Sequence, residues 1–326
     1  MQQATPWLVV VAWCVAGAAR AAAVVTLVDD VPGAGRLAAP ATGQTLYLLD
    51  DTARSVTAVD PFAPARRWRA LGPTDLDAGS AEAVRPAALA CIDSSTLAVA
   101  CHVGGEWSLR VFRLAPPNAA EPAPRLLQSL ALGAAPAAAG ATDVFVSETR
   151  DWLAVTGLPA PLPAALRAPI AGARLGGFST RLCPRLPPPG RLVAATGSPF
   201  DEWVLFLRRK GSPPDLTRIE FHATAGRQRL LDLDLGLAGV RDAASCRGDG
   251  TLWVVADGEP GNPAGSGLWR IDAVLEAGRQ AVRPVLVAGL PQPLSVVCLS
   301  ERAVAISGGG ERRRVILVNP SADAAP

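Results

Sequence analysis

The residues of this chain whose types and spacing suit chemistry are few: two histidines, acidic side chains in glycine-rich stretches, and short basic runs. His102 sits in ACHVGGEW, with Glu106 shortly after it. An imidazole whose tautomer is set by a nearby carboxylate is the arrangement of a general base for proton or hydride abstraction. The plainer alternative is a loop imidazole holding a backbone hydrogen bond. His222 lies inside an apolar run, and two histidines cannot build a three-histidine zinc site. Asp257, Glu259 and Asn262 bring hard oxygen ligands together in DGEPGN, where Gly258 and Gly261 would let the chain bend around a cation such as calcium. Their spacing departs from the EF-hand loop and lacks its final Glu, so a solvated connection between strands also accounts for them. Arg208 to Lys210 and Arg312 to Arg314 could attract an anionic ligand or surface, or be ordinary solvated loops; Asp50, Asp51 and Glu311 are further acidic candidates for a ligand site. No nucleophile elbow, phosphate-binding loop or dinucleotide fingerprint is present.

Composition bounds what these residues can serve. A chain of 326 residues with 49% hydrophobic and 18% charged residues reads as a packed globular protein. A formal net charge of +2 gives no reason to expect nucleic acid. Near the start, the apolar run from Trp7 to Ala19 is short for a bilayer span of roughly 20 residues. Small residues follow it at Ala19, Ala21 and Ala23, so residues 1–23 read as a secretory signal peptide, and the mature chain as secreted or periplasmic with no transmembrane segment. Cys91, Cys101, Cys183, Cys246 and Cys298 remain. An oxidising compartment permits disulfides whose pairing spacing alone does not reveal; the preferred reading is five small buried hydrophobes.

The elements that must position the polar residues are strands. Beyond residue 23 no stretch keeps a helical period; short runs rich in Val, Leu and Ala are cut by Gly, Pro, Asp and Ser. TLYLLD, TLAVAC, WLAVTG, WVLFLR, TLWVVA and RAVAIS begin at Thr45, Thr96, Trp152, Trp203, Thr251 and Arg302, a repeat of about 51 residues. That is close to one four-stranded propeller blade. The expected fold is all-β: a single six-bladed β-propeller over 24–320, with 321–326 as a short tail. In the fifth unit, strands A to D are RDAASC, TLWVVA, GLWRID and PVLVAGL. The sixth unit lacks a D strand, and VVTLVDD at the other end has no A to C strands before it. Closure therefore requires 24–29 to pair beside Val315 to Val318, because an open ring leaves an unpaired sheet edge. Trp107, Trp152, Trp203, Trp253 and Trp269 fall on B and C strands, where their apolar faces suit packing between blades.

This rhythm resembles six-bladed propellers of the NHL and YVTN type and, more loosely, soluble quinoprotein sugar dehydrogenases and gluconolactonase-like propellers. DGTLWVVADGEPGNPAGSGLWRID, from Asp249 to Asp272, is similar to a segment common in sugar dehydrogenase-like propellers. The resemblance implies a ligand site on the face built by the B-C and D-A connections, where Asp50, Asp51, His102, Glu106, Arg208, Arg209, Lys210, Asp257, Glu259, Asn262, Glu311 and Arg312 fall. Two functions follow as expectations. The first is an exported, non-catalytic propeller that binds a protein, glycan or small ligand on that face. The second is a sugar-active enzyme with His102 as base, using pyrroloquinoline quinone as a dehydrogenase or calcium as a lactonase. The metal positions of the lactonases find no residue-by-residue match here.

Overall fold

The computed structural model describes residues 22–29, 33, 35–40, 42–115, 123–134, 143–146, 153–156, 191–197, 203–209, 216–223, 229–246, 251–258, 265–276, 279–300, 303–309 and 313–319; between 132 and 232 it describes backbone alone, Val144 apart, as also at 273–276 and 279–280. The chain opens with β1 (Ala23–Val28). The first sheet then runs through β2 (Arg36–Ala38), β3 (Leu46–Asp50), β4 (Ser55–Val59) and β5 (Arg67–Leu71). A single helical turn, α1 (Pro73–Leu76), precedes the second sheet. That sheet holds β6 (Arg85–Asp93), β7 (Thr96–Val103), β8 (Glu106–Arg113) and β9 (Arg125–Ala134). Next come β10 (Asp143–Val146) and β11 (Leu153–Thr156), which pair as two strands. The fourth sheet is β12 (Arg191–Gly197), β13 (Trp203–Arg209), β14 (Leu216–Ala223) and β15 (Arg229–Ala238). The fifth is β16 (Asp242–Ser245), β17 (Leu252–Ala256), β18 (Gly267–Glu276) and β19 (Arg279–Gly289). The last holds β20 (Ser295–Ser300), β21 (Ala303–Gly308) and β22 (Arg314–Asn319).

Every described pairing is antiparallel between sequence neighbours, with one exception. In the last sheet the order is β1-β22-β21-β20, so the chain's first strand completes its final blade. Val24 faces Val318 and Val28 faces Val315, the register expected from the missing D strand. The innermost strands follow one another around a closed circle: β2 neighbours β6, then β10, β12, β16 and β20 succeed it, and β20 returns to β2.

Burial explains why these residues make these strands. The B strands β3, β17 and β21 are buried along their whole length, as is β7 up to Cys101, because each is sandwiched between two neighbouring sheets. Strands buried on both faces read as continuous apolar runs, which is what LYLL, LAVA, LWVVA and AVAI are. Outer strands face water: β5 alternates exposed arginines with Trp68, and the first four residues of β1 are exposed. The core is a set of inter-blade layers. One joins the first two blades through Tyr47, Leu49, Val99 and Phe112. A second joins the last and first blades through Leu27, Leu37, Leu48 and Val315. A third joins the fifth and last through Trp253, Val255, Val304 and Ile316. Trp107, Trp253 and Trp269 are buried, as their strand positions require; Trp152 lies outside the described residues and the Trp203 side chain is not described.

Two features depart from the reading of the sequence. Cys246 and Cys298 form a disulfide, with Cα atoms 5.3 Å apart, whereas all cysteines were expected to be buried hydrophobes. The correction has a simple cause: the two residues end or line the inner strands of consecutive blades, so a separation of 52 residues brings them side by side. Cys91 and Cys101 are free thiols, and Cys183 lies outside the described residues. The second departure is the segment 72–84, which opens with α1 rather than a plain connection.

Candidate functional site

Strand direction sorts the turns onto two faces. Each inner strand starts at the face that carries the D-A and B-C connections, and the candidate site is the set of polar side chains gathered there. Five described parts of it hold definite contacts.

In the first blade, Asp50 closes β3 and its Oδ1 accepts the Ala53 N–H at 2.8 Å, folding the B-C hairpin. Asp51 beside it is exposed and takes the Thr52 hydroxyl at 3.4 Å. Gly33, at φ +72°, lets the incoming D-A connection pass so close that a Cβ there would meet both carboxylates at 2.5 Å.

The segment 72–84 is pinned across the first and second blades by two arginines. Arg54 donates to the Val84 carbonyl at 2.8 Å and pairs with Asp77, whose Oδ1 also accepts the Val84 N–H at 2.8 Å. Arg110, buried in β8, donates to the carbonyls of Leu76 and Ala78 at 2.6 and 2.9 Å, capping α1. Burial pushes the Asp77 carboxyl up, but the Val84 amide and the Arg54 and Arg110 guanidiniums outweigh it and hold it below the usual carboxylate range.

His102 and Trp107 face each other at the B-C end of the second blade, paired across β7 and β8. Their rings meet edge to face with centroids 5.3 Å apart. Nε2 of His102 and Nε1 of Trp107 are buried without a hydrogen-bond partner. Glu106 is exposed at the start of β8.

In the fifth blade, Asp257 pairs with Arg241 at 3.0 Å, with both side chains exposed by more than a third. The Ala238 N–H donates to the Gly258 carbonyl at 2.8 Å, so the D-A and B-C connections of this blade are tied together. Gly239, at φ +62°, makes room for the Asp257 carboxylate, which a Cβ would strike.

The most enclosed part lies where the fifth, last and first blades meet. Asp242, 3% exposed at the start of β16, accepts the Ser295 hydroxyl at 2.7 Å and the Val296 N–H at 2.9 Å. Its other oxygen accepts the Ala243 N–H at 2.8 Å. Ser295 Oγ in turn accepts the Leu37 N–H at 3.2 Å, and Arg36 donates to the Leu294 carbonyl at 2.6 Å. One carboxylate thus connects three inner strands across the junction where the ring closes. Burial pushes the Asp242 carboxyl up, with the Arg36 charge and the three donors opposing it. Ser307, paired with Ser295 across the sheet and 1% exposed, has a hydroxyl without a partner.

The remaining sequence candidates divide cleanly. Arg208 and Arg209 end β13 on the expected face, and their side chains are not described. Lys210, Glu259, Asn262, Glu311 and Arg312 lie outside the described residues. His102 and Asp257 stand on the second and fifth blades, three places apart around the circle of inner strands, so they do not meet in one cluster. Among the described residues, no three His, Cys, Asp or Glu side chains come together as a metal set. The Asp242 node lies outside the B-C connections that the sequence points to, at the start of an inner strand. The signal that could have found it is the polar residue that opens each A strand: Arg36, Arg85, Asp143, Arg191, Asp242 and Ser295.

Solved structures with the same arrangement of sheets include the quinone-bound aldose sugar dehydrogenase of Streptomyces coelicolor. It matches at 11% identity over 93% of this chain and 99% of that one, with a TM-score of 0.51. The fold is a β-propeller. The propeller also matches a gluconolactonase of Xanthomonas campestris at 16% identity, covering 91% of this chain and 89% of that one, with a TM-score of 0.50. The major allergen Mala s 1 of Malassezia sympodialis matches at 10% identity over 93% and 98% of the two chains, with a TM-score of 0.51. Such identities establish likeness of fold alone. No protein-family model and no curated protein matches the chain.

Proposed function

We propose that this propeller is an exported, non-catalytic binding protein that takes a protein, glycan or small ligand on the face formed by its B-C and D-A connections. The observation that carries the reading is how the carboxylates of that face are used. Asp50 holds its own hairpin, Asp77 is taken by Arg54 and Val84, Asp242 by Ser295 and Val296, and Asp257 by Arg241. Side chains spent on fixing loops give a rigid rim, which favours binding by a preformed surface. Asp51 and Glu106 are the acidic candidates that stay exposed on this rim.

The ring is read as six blades of four strands; of the third, β10 and β11 are described, and the segments expected as its outer strands lie outside the described residues. Export is supported by the Cys246–Cys298 bond, since structural disulfides form and persist in oxidising compartments. A second reading, a sugar-active enzyme of the dehydrogenase or lactonase type, draws on the unpartnered Nε2 of His102. A bound quinone would supply hydride acceptance and calcium a Lewis acid; among the described residues no three His, Cys, Asp or Glu side chains gather to hold the calcium.

The test is a glycan and metabolite binding screen with the full chain, repeated with Asp51→Ala/Glu106→Ala. A ligand whose affinity falls at least about tenfold in that variant, roughly 1.4 kcal/mol, supports the face. Ligands found that bind the variant undiminished would remove it.

A further inference from the structure

We propose that the opposite face, which carries the A-B and C-D turns, docks on an anionic lipid bilayer through the first blade and its two neighbours. The centre is the hairpin DPFAPARR between β4 and β5. It is a stiff platform: the Asp60 N–H donates to the Arg66 carbonyl at 3.1 Å and the Arg66 N–H to the Ala63 carbonyl at 2.8 Å. The Asp60 carboxylate accepts the amides of Phe62 and Ala63 at 2.9 and 3.1 Å. Pro61 and Pro64 fix two further backbone angles. On this platform Phe62 stands 67% exposed, where a core would otherwise claim it.

The surroundings are basic. Arg66 and Arg67 are exposed and form no ion pair among the described residues; Asp60, the single acid between β4 and β5, is occupied by its turn, and Asp93 on the neighbouring A-B turn is taken by Ser95 and Thr96. In the second blade Arg113 and Arg125 lie directly opposite each other across β8 and β9, both exposed, at the same end of the sheet. Like charges so placed repel, a cost that an anionic surface would relieve.

The apolar exposure is concentrated here as well. Of the large hydrophobic side chains exposed among the described residues, Phe62, Val24 and Val25 belong to this side of two adjacent blades, and Leu286 alone stands elsewhere. β1 enters the fold at this end, since Ala23 pairs with Asn319 at the finish of β22. An exposed aromatic ring next to two exposed arginines, with two exposed valines on the adjoining blade and an exposed arginine pair on the other, matches the headgroup boundary of an acidic membrane, where aromatic rings settle and basic side chains meet phosphates. Docking this way would point the B-C face away from the bilayer.

Sedimentation of the full chain with vesicles of phosphatidylcholine, with or without one-third phosphatidylserine, tests the proposal. The expected result is preferential binding to the acidic vesicles, weakened by salt. Arg66→Gln/Arg67→Gln should lower partition into acidic vesicles about 25-fold, at about fivefold per charge. Phe62→Ala should lower it about tenfold, Phe62→Trp should preserve it, and Leu286→Ala should leave it unchanged. Each variant removes only exposed side chains, and thermal unfolding confirms that it is folded. Equal binding to neutral and acidic vesicles, or a double variant that binds as the parent does, would overturn the proposal. Retention on polyglutamate without vesicle binding would also overturn it, assigning the patch to an acidic protein.

Discussion

Breaking the Cys246–Cys298 bond should destabilise the ring by an amount that follows from its position. The bond closes a loop of 52 residues between the inner strands of consecutive blades. Cross-linking a loop of about that length removes about 14 cal/mol/K of entropy from the unfolded chain, or about 4 kcal/mol at 25 °C. With about 2 cal/mol/K of unfolding entropy per residue over roughly 300 residues, the midpoint should fall by about 7 °C. The remaining described thiols do not confuse the experiment. Burial pushes Cys101 up to about 12 and Cys91 well above the usual thiol range, so both stay protonated and slow to exchange at neutral pH. The assay is thermal unfolding by circular dichroism, with and without reductant, on the parent and on Cys246→Ala/Cys298→Ala. Reductant should lower the parent to the midpoint of the variant and leave the variant unchanged. Coincident midpoints for oxidised parent and variant would refute the reasoning, and with it the placement of these cysteines on adjoining inner strands.

Other consequences concern the carboxylates. Asp242→Ala would leave the Ser295 hydroxyl and the Val296 amide unpaired in a buried site, at a cost of about 3 kcal/mol in urea unfolding. Asp242→Asn keeps an acceptor and removes the buried charge, so it should cost less at neutral pH. Because burial raises the Asp242 carboxyl, the native state favours its protonated form, and the gap between parent and Asn variant should move in the parent's favour as pH falls through the carboxylate range. Asp77 behaves oppositely. Its lowered carboxyl contributes stability above the ordinary range that disappears as pH falls through the native value, so the advantage of the parent over Asp77→Asn should vanish in acid. Partial exposure keeps that advantage below about 1 kcal/mol.

The architecture was legible because it rests on local apolar runs. LYLL, TLAVA and LWVVA each fill a strand sandwiched between sheets, and such runs announce themselves without knowledge of their neighbours. The role of VVTLV was legible by subtraction, since the last blade lacked a strand and the first segment lacked a sheet. What could not be read depends on contacts between blades. Asp242 meets Ser295, and Cys246 meets Cys298, across an interface where no ladder of hydrogen bonds fixes register, so spacing alone did not single them out. The turn of helix after Gly72 is too short to show a period, and it is held by Arg54 and Arg110 from other elements. Within the candidate site, His102 and Asp257 were legible as polar loop residues, but their distance around the ring was not.

The central claim, a binding rather than catalytic propeller, meets its most direct test in reconstitution. Purified protein is incubated with calcium and pyrroloquinoline quinone, titrated by absorbance, and assayed for dye-linked aldose oxidation and for sugar-lactone hydrolysis with and without chelator. A binding propeller predicts no saturable uptake of the quinone and no turnover in either assay above that of His102→Ala. Saturable quinone binding with aldose turnover, or lactone hydrolysis abolished by chelator, would contradict it.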